Sequence, residues 1–213
     1  MYLAIEGVIG VGKTSLARLL QPTFSAAMML EVFEENPFLS DFYGDRARYA
    51  LQTQLFFLLS RYRQQHEVPT LLDQHGALIA DYTFAKDALF ARLNIQGDEL
   101  ELYRRLHDAL AEKVVRPNLI VYLRASTDEL IRRIAKRGRP YEKNMDHAYI
   151  AALGEAYDEF FASYREAPVL IINADPLDYV GNPDHLFWVI ERIQATLGGK
   201  PEYQSPLRLG SDG

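Results

Sequence analysis

The chain has 213 residues, no cysteine and a formal net charge of −6. This length suits one α/β unit with a single core, the missing cysteines exclude a disulfide scaffold and thiolate chemistry, and the acidic balance argues against a broad nucleic-acid or anionic-membrane surface. No apolar run approaches the roughly 18 residues of a membrane helix, and the opening residues read as a strand instead of a cleavable leader, so the cytoplasm is the expected compartment.

Tyr2–Glu6 is a short apolar run that reads as a buried strand. Gly7-Val8-Ile9-Gly10-Val11-Gly12-Lys13-Thr14 comes directly after it and completes the G-x-x-x-x-G-K-[ST] pattern, with Ser15 opening the next helix, Thr14–Leu20. Gly7, Gly10 and Gly12 let the chain bend so that backbone N–H groups converge on phosphate oxygens at a helix N-terminus. In that reading Lys13 reaches the outer phosphates and the Thr14 hydroxyl faces Mg²⁺, while the alternative is a glycine turn that merely joins strand to helix.

Met28–Phe33 reads as the second strand, with Glu31, Glu34 and Glu35 at its end, and Tyr49–Gln65 as a helix carrying Phe56, Phe57 and Tyr62. Asp73-Gln74-His75-Gly76 reads as a turn, because the N-K-x-D of a guanine-reading switch is absent downstream. Gly76–Asp81 is the third strand, and its terminal Asp81 is either the start of a turn or the acid that holds Mg²⁺. Helices Phe84–Arg92 and Asp98–Val114, strand Leu119–Leu123, and helix Thr127–Lys136, capped by Ser126, come next.

Arg132 to Arg139 then place five positive charges in eight positions, interrupted by Gly138. Such a run is either a solvated face or a mobile lid over phosphates. Helix Asp146–Tyr164, strand Val169–Ile172 and helix Asp184–Thr196 complete the domain, residues 1–197, and residues 198–213 read as a flexible tail. The alternation implies the α/β class, a five-stranded parallel sheet with helices on both faces and ligands at the carboxyl ends of the strands, and the phosphate loop and arginine run make the expectation a P-loop fold with an arginine-rich lid.

Glu6-Gly7 with its loop, Glu31 to Phe38, Ser60-Arg61-Tyr62-Arg63, Ala80-Asp81-Tyr82 and Arg137-Gly138-Arg139 occur in order. With these motifs the chain resembles the deoxyribonucleoside kinases, most closely the bacterial deoxyguanosine and deoxyadenosine kinases, from about Tyr2 to Leu197. The resemblance implies that Glu31 accepts the proton of a substrate 5′-hydroxyl, and that Tyr43 and Glu142 hold the sugar 3′-hydroxyl. By the same resemblance Gln54, Arg61 and Asp87 read the base and Phe57 shapes its pocket. Arg133, Arg137 and Arg139 are then lid arginines, and Asp175 to Tyr179, including Asp178, cover the donor adenine. It further implies ATP and Mg²⁺ as cofactors and a homodimer, with the Tyr49–Gln65 helix in the contact.

Many relatives carry Arg after the acid at the end of the third strand, where this chain has Tyr82. A positive charge expected near the 5′-oxygen is missing from that dipeptide, since a tyrosine donates a hydrogen bond but neutralises no anion. The expected function is ATP-dependent phosphorylation of a purine deoxyribonucleoside, deoxyguanosine before deoxyadenosine, in nucleotide salvage. The alternatives are a kinase preferring deoxyadenosine and deoxycytidine, a nucleoside monophosphate kinase, a nucleic-acid-acting ATPase, and a nucleotide-dependent switch or binding module.

Overall fold

In a computed structural model the described residues are 1–142 and 145–198. The tail expected to be flexible lies, from residue 199 onward, outside them. The sheet is five-stranded and parallel, formed by β1 (Tyr2–Gly7), β2 (Ala27–Met29), β3 (Leu78–Ala80), β4 (Leu119–Arg124) and β5 (Val169–Asn173) in the order β2-β3-β1-β4-β5. β1 is buried throughout and β4 at every position except Arg124, as strands covered on both faces must be.

The helices are α1 (Lys13–Phe24), α2 (Leu39–Gly44), α3 (Arg46–Gln65), α4 (Val68–His75), α5 (Lys86–Asn94), α6 (Gly97–Ala111), α7 (Thr127–Arg137), α8 (His147–Ser163) and α9 (Pro183–Leu197). Side chains fix several of their starts. Asp45 accepts from the Arg48 N–H, Ser126 from Glu129, Asp146 from Ala148, and Asn182 from Asp184, each satisfying an amide left over at a helix N-terminus.

Three elements differ from the sequence expectation. The second strand ends at Met29, after which the chain leaves the sheet and forms a short 3-10 turn over Phe33–Glu35. The Asp73 to His75 segment is the end of α4, closed by Gly76 in the left-handed region at φ 71°, and is no isolated turn. The short helix α2 has no counterpart in the sequence expectation, because its six residues are too few to show periodicity.

β1 is central, the chain passing from it to β2 beyond β3 on one side and later to β4 on the other. The carboxyl ends of β1 and β3 therefore border the crevice where an open α/β sheet binds ligands.

Candidate active site

The phosphate loop occupies residues 7–14 between β1 and α1. Gly7 has φ 146° and Gly12 φ 106°, and a Cβ on either would collide, with the Leu123 carbonyl and the Tyr179 hydroxyl respectively. Tyr179 donates toward the Val11 and Gly12 carbonyls at 3.2 and 3.3 Å, so the loop after β5 braces the phosphate loop from behind. Lys13 Nζ donates to the Gly7 carbonyl at 2.8 Å and lies at the cavity wall. Its partial burial, reinforced by the nearby charge of Lys86, pulls its pKa down to about 8 against the opposing pull of Glu6, Glu31 and Asp81. Ser15 is exposed at the start of α1 and does not line the cavity.

Under the loop lies Glu6, which is fully buried. One of its oxygens accepts from the Thr83 N–H at 2.5 Å and the Thr83 hydroxyl at 3.0 Å, the other from the Gly7 N–H at 3.2 Å and the Tyr157 hydroxyl at 3.0 Å. Four donors from three parts of the chain thereby converge on one acceptor-only group.

Asp81 sits at the end of β3 and accepts from the Thr14 hydroxyl and, at 2.8 Å, from the Glu31 N–H. A hydroxyl and a carboxylate side by side at the mouth of the phosphate loop form a hard-oxygen donor pair that fits Mg²⁺. No cluster of three or more His, Cys, Asp or Glu able to hold a metal occurs among the described residues.

Glu31 is turned into the cavity by the chain's early departure from the sheet. Its Oε1 accepts from Arg61 Nε at 2.9 Å and from Arg61 Nη2, and pairs with Lys86 Nζ at 3.0 Å. Burial alone would raise the Glu31 pKa, but the charges of Lys86 and Arg61 and the Arg61 hydrogen bonds outweigh it and hold the carboxyl far below the usual carboxylate range. Arg61 Nη1 pairs on its other side with the fully buried Asp87, and the guanidinium lies 4.7 Å from the Phe57 ring centroid. Thus Arg61 links the carboxylate expected to face the hydroxyl with the one expected at the base. Gln54, on the same α3 face, is 2% exposed, and its Oε1 has no hydrogen-bond partner among the described residues although it borders the cavity.

The opposite wall comes from α7 and the segment after it. Arg137 grips Glu142 through Nε at 3.1 Å and Nη2 at 2.5 and 2.6 Å, while Arg139 lies 3.6 Å from the same carboxylate and stacks over Phe33 at 4.0 Å. Tyr43 and Tyr141 stack at 6.0 Å between centroids, and burial pushes the Tyr43 hydroxyl pKa well up, so it is a hydrogen-bonding phenol at any working pH. Together these groups enclose about 850 Å³ of space, mouth included, between the phosphate loop and α3. That is ample for a nucleoside.

Lys13, Thr14, Glu31, Tyr43, Gln54, Phe57, Arg61, Asp81, Arg137, Arg139 and Glu142, all expected from the sequence, meet at one cavity, with Gly10 at its edge and Asp87 directly behind Arg61. Arg133 is elsewhere. It donates to the carbonyls of Val11 at 2.9 Å and Ala174 at 2.8 Å, tying two loops together outside the cavity wall. Asp175 accepts from the Ser126 N–H at 2.8 Å and Asp178 from the Gly181 N–H at 2.8 Å, so both carboxylates shape their own loop. The expectation of a missing cation is corrected: Tyr82 is fully buried with its hydroxyl on Gln64 at 2.9 Å and Met29 at 3.2 Å, whereas Lys86 brings an ammonium to the cavity.

The sequence model of the family described as deoxynucleoside kinase matches residues 3–197. The chain belongs to the deoxynucleoside kinases. The kinase is 36% identical over 199 residues to the deoxyguanosine kinase of Bacillus subtilis (strain 168), covering 91% of this chain and 94% of that one. It is 34% identical to the deoxyadenosine kinase of Dictyostelium discoideum over 178 residues, 81% of this chain and 71% of the relative. Its fold matches the structure of the deoxyadenosine kinase from M. mycoides with bound dATP, with TM-score 0.80, 24% identity, and coverage of 91% of this chain and all (100%) of that one. The protein is therefore a phosphotransferase acting on deoxynucleosides, built on a P-loop sheet.

Sequence reasoning missed Lys86, Phe33, Tyr149 and Tyr157 as parts of the cavity. Lys86 carried no signal in the sequence, where a lysine at the start of a helix ordinarily reads as exposed.

Proposed function

We propose that this kinase transfers the γ-phosphoryl group of ATP to the 5′-hydroxyl of a purine deoxyribonucleoside, deoxyguanosine before deoxyadenosine, and so serves nucleotide salvage in the cytoplasm. The observation that carries the purine reading is the buried Arg61–Asp87 pair with Gln54 beside it, its amide oxygen unpaired among the described residues. Arg61 keeps unspent N–H donors beyond those given to Glu31 and Asp87, and Gln54 offers an acceptor, which together complement the mixed edge of a purine. The 36% identity with a deoxyguanosine kinase supports the order of preference.

In this reading Glu31, kept ionised by Lys86 and Arg61, orients the 5′-hydroxyl and takes its proton. Lys13 and the loop amides hold the phosphates, and Arg137 and Arg139 offset charge on the transferring group. Tyr43 and Glu142 hold the sugar 3′-hydroxyl. Mg²⁺, held by Thr14 and Asp81, would neutralise charge on the phosphate oxygens during transfer.

The test is ATP consumption against the four deoxyribonucleosides and their monophosphates. Deoxyguanosine is expected to give the highest kcat/KM, with deoxyadenosine second, and Glu31→Gln to lower turnover by about 10²–10⁴-fold with ATP affinity little changed. Preference for thymidine or deoxycytidine overturns the purine reading, and nucleotide consumption independent of any nucleoside favours the switch.

A further inference from the structure

Glu31 carries two cations on a single oxygen, and they are not equivalent. Arg61 is matched on its far side by Asp87, so its charge is shared between two carboxylates. Lys86 has Glu31 as its one ion-pair partner among the described residues. It is also 3% exposed, lies at the first position of α5, and borders the cavity. An ammonium has three N–H donors and no acceptor, and a buried polar group leaves such donors unused only at a cost. The remaining donors of Lys86 therefore face the cavity, where a ligand oxygen can take them.

The charge count gives the same answer. Glu31 and Asp87 balance Arg61 and Lys86, and without Lys86 this cluster would present net negative charge to an arriving phosphate. Like charges repel far more strongly at the lowered dielectric of a protein site than in water, so that excess would oppose the phosphate's approach. Tyr82 does not supply this charge, because its hydroxyl is committed to Gln64 and Met29 in the core. Its ring centroid lies 5.7 Å from Lys86 Nζ, so the ring's π face is all that Tyr82 turns toward the ammonium. The charge of Lys86 is also felt at Lys13, which puts it near the phosphate end of the cavity as well as near Glu31.

We propose that Lys86 is a catalytic residue of this kinase, its ammonium contacting the substrate 5′-oxygen and the phosphoryl group that arrives on it. In the step, the 5′-oxygen forms a bond to the γ-phosphorus while the bond from that phosphorus to the β,γ-bridging oxygen breaks, its electron pair leaving with ADP. The hydroxyl proton passes to Glu31. Lys86 holds Glu31 in place before transfer and stabilises the equatorial oxygens during it, a charge that matters more in the transition state than in the bound ground state. The proposal rests on the assignment of Glu31 to the 5′-hydroxyl.

The experiment compares Lys86→Met, Lys86→Gln and Lys86→Arg with the unaltered protein, using its preferred deoxynucleoside. Both neutral variants are expected to lose about 10²–10³-fold in kcat while KM for nucleoside and ATP changes less than about fivefold, and Lys86→Arg to recover at least tenfold over Lys86→Met. Retention of ADP with aluminium fluoride and deoxynucleoside, a mimic of the transferring phosphoryl group, is expected to be lost in Lys86→Met while ADP alone still binds. A Lys86→Met or Lys86→Gln enzyme that keeps kcat within about threefold overturns the proposal. So does a loss that falls equally on ADP alone and on the mimic, which marks a structural role. If the unaltered protein is active but Glu31→Gln leaves turnover intact, the assignment of Glu31 fails instead, and that result is separable from the Lys86 series.

Discussion

Lys13 and Glu31 line the same cavity and both have lowered pKa values, which favours the charged form of Glu31 but disfavours that of Lys13. Glu31 is ionised at every working pH, so its titration sets no acid limit near neutrality. Lys13 has its pKa lowered to about 8, so it is cationic below that value and loses its charge as pH rises through it. The groups facing it are Lys86, which lowers this value, and Glu6, Glu31 and Asp81, which raise it. Nucleotide affinity is therefore expected to hold below pH about 8 and to fall by up to about tenfold per pH unit above it, with a proton taken up on binding in that range. Calorimetry with a non-hydrolysable ATP analogue in buffers of different ionisation enthalpy checks this. Lys13→Arg should abolish the alkaline fall, and an unaltered protein whose affinity is flat to pH ~10 would contradict the shift. At this scale the sequence was most legible where chemistry is local: Lys13 and Thr14 follow from spacing alone. Lys86 was illegible because its partner Glu31 is remote in sequence and a lysine opening a helix ordinarily points to water.

Between α7 and the residues after it, Gly138 terminates the helix in the left-handed region at φ 69° and turns Arg139 back toward the cavity. The arginine run is divided by that turn. Arg133 braces loops and Arg137 grips the buried Glu142, while Arg132 pairs with Glu129 at 2.6 Å on the exposed face. Cavity-lining and exposed arginines are thus both present in one segment, which a charge run alone cannot reveal. Since Glu142 is 4% exposed and anchored by Arg137, the two are expected to separate kinetically. Arg137→Ala should lower kcat by about 10²-fold or more, whereas Glu142→Gln should raise KM for the deoxynucleoside by about 10–100-fold, the worth of one charge-assisted hydrogen bond. Steady-state kinetics decide it, and identical effects from both substitutions would mean that the pair acts only as a unit. β2 shows why an element can be misjudged from composition. Met28 to Phe33 is apolar enough for a strand, yet Asp81 takes the Glu31 N–H that a longer sheet ladder would have used.

At the scale of the whole molecule, large exposed apolar side chains occur in two places among the described residues. Leu59 on α3 and Leu102 and Leu106 on α6 are 50%, 50% and 42% exposed on helices packed side by side, and Ile171, Val180 and Phe187 lie around β5 and α9. The first group is proposed as the homodimer contact: Leu59 lies on the helix anticipated from the sequence, Leu102 and Leu106 on the helix packed beside it, and a monomer rarely leaves such a patch bare. Sedimentation is expected to show a dimer that dissociates in Leu59→Lys/Leu102→Lys and survives in Phe187→Lys. A monomer at micromolar concentration, or the reverse pattern, refutes this contact. The five parallel strands with ligands at their carboxyl ends were legible, because each strand is a compact apolar run followed by polar residues, whereas the strand order is set by contacts remote in sequence. Partner surfaces were not, since exposed leucines and core leucines have the same sequence signature.

Glu6 imposes a restriction on how this sequence can drift. Both of its oxygens accept from donors only, two from Thr83 and one each from Gly7 and Tyr157. Glutamine has nearly the same shape, and the Thr83 or Tyr157 hydroxyl could turn to accept from its amide nitrogen, yet that nitrogen would still meet the backbone N–H of either Thr83 or Gly7, proton against proton. Each stranded donor costs about 1–3 kcal/mol in an interior that offers no water to replace it. Aspartate keeps the acceptor chemistry but, one methylene shorter, cannot reach both sets. A substitution at position 6 therefore strands at least one backbone donor, and the residue is expected to drift only at a cost of about 1–3 kcal/mol or together with the groups that face it, which lie far apart in the chain.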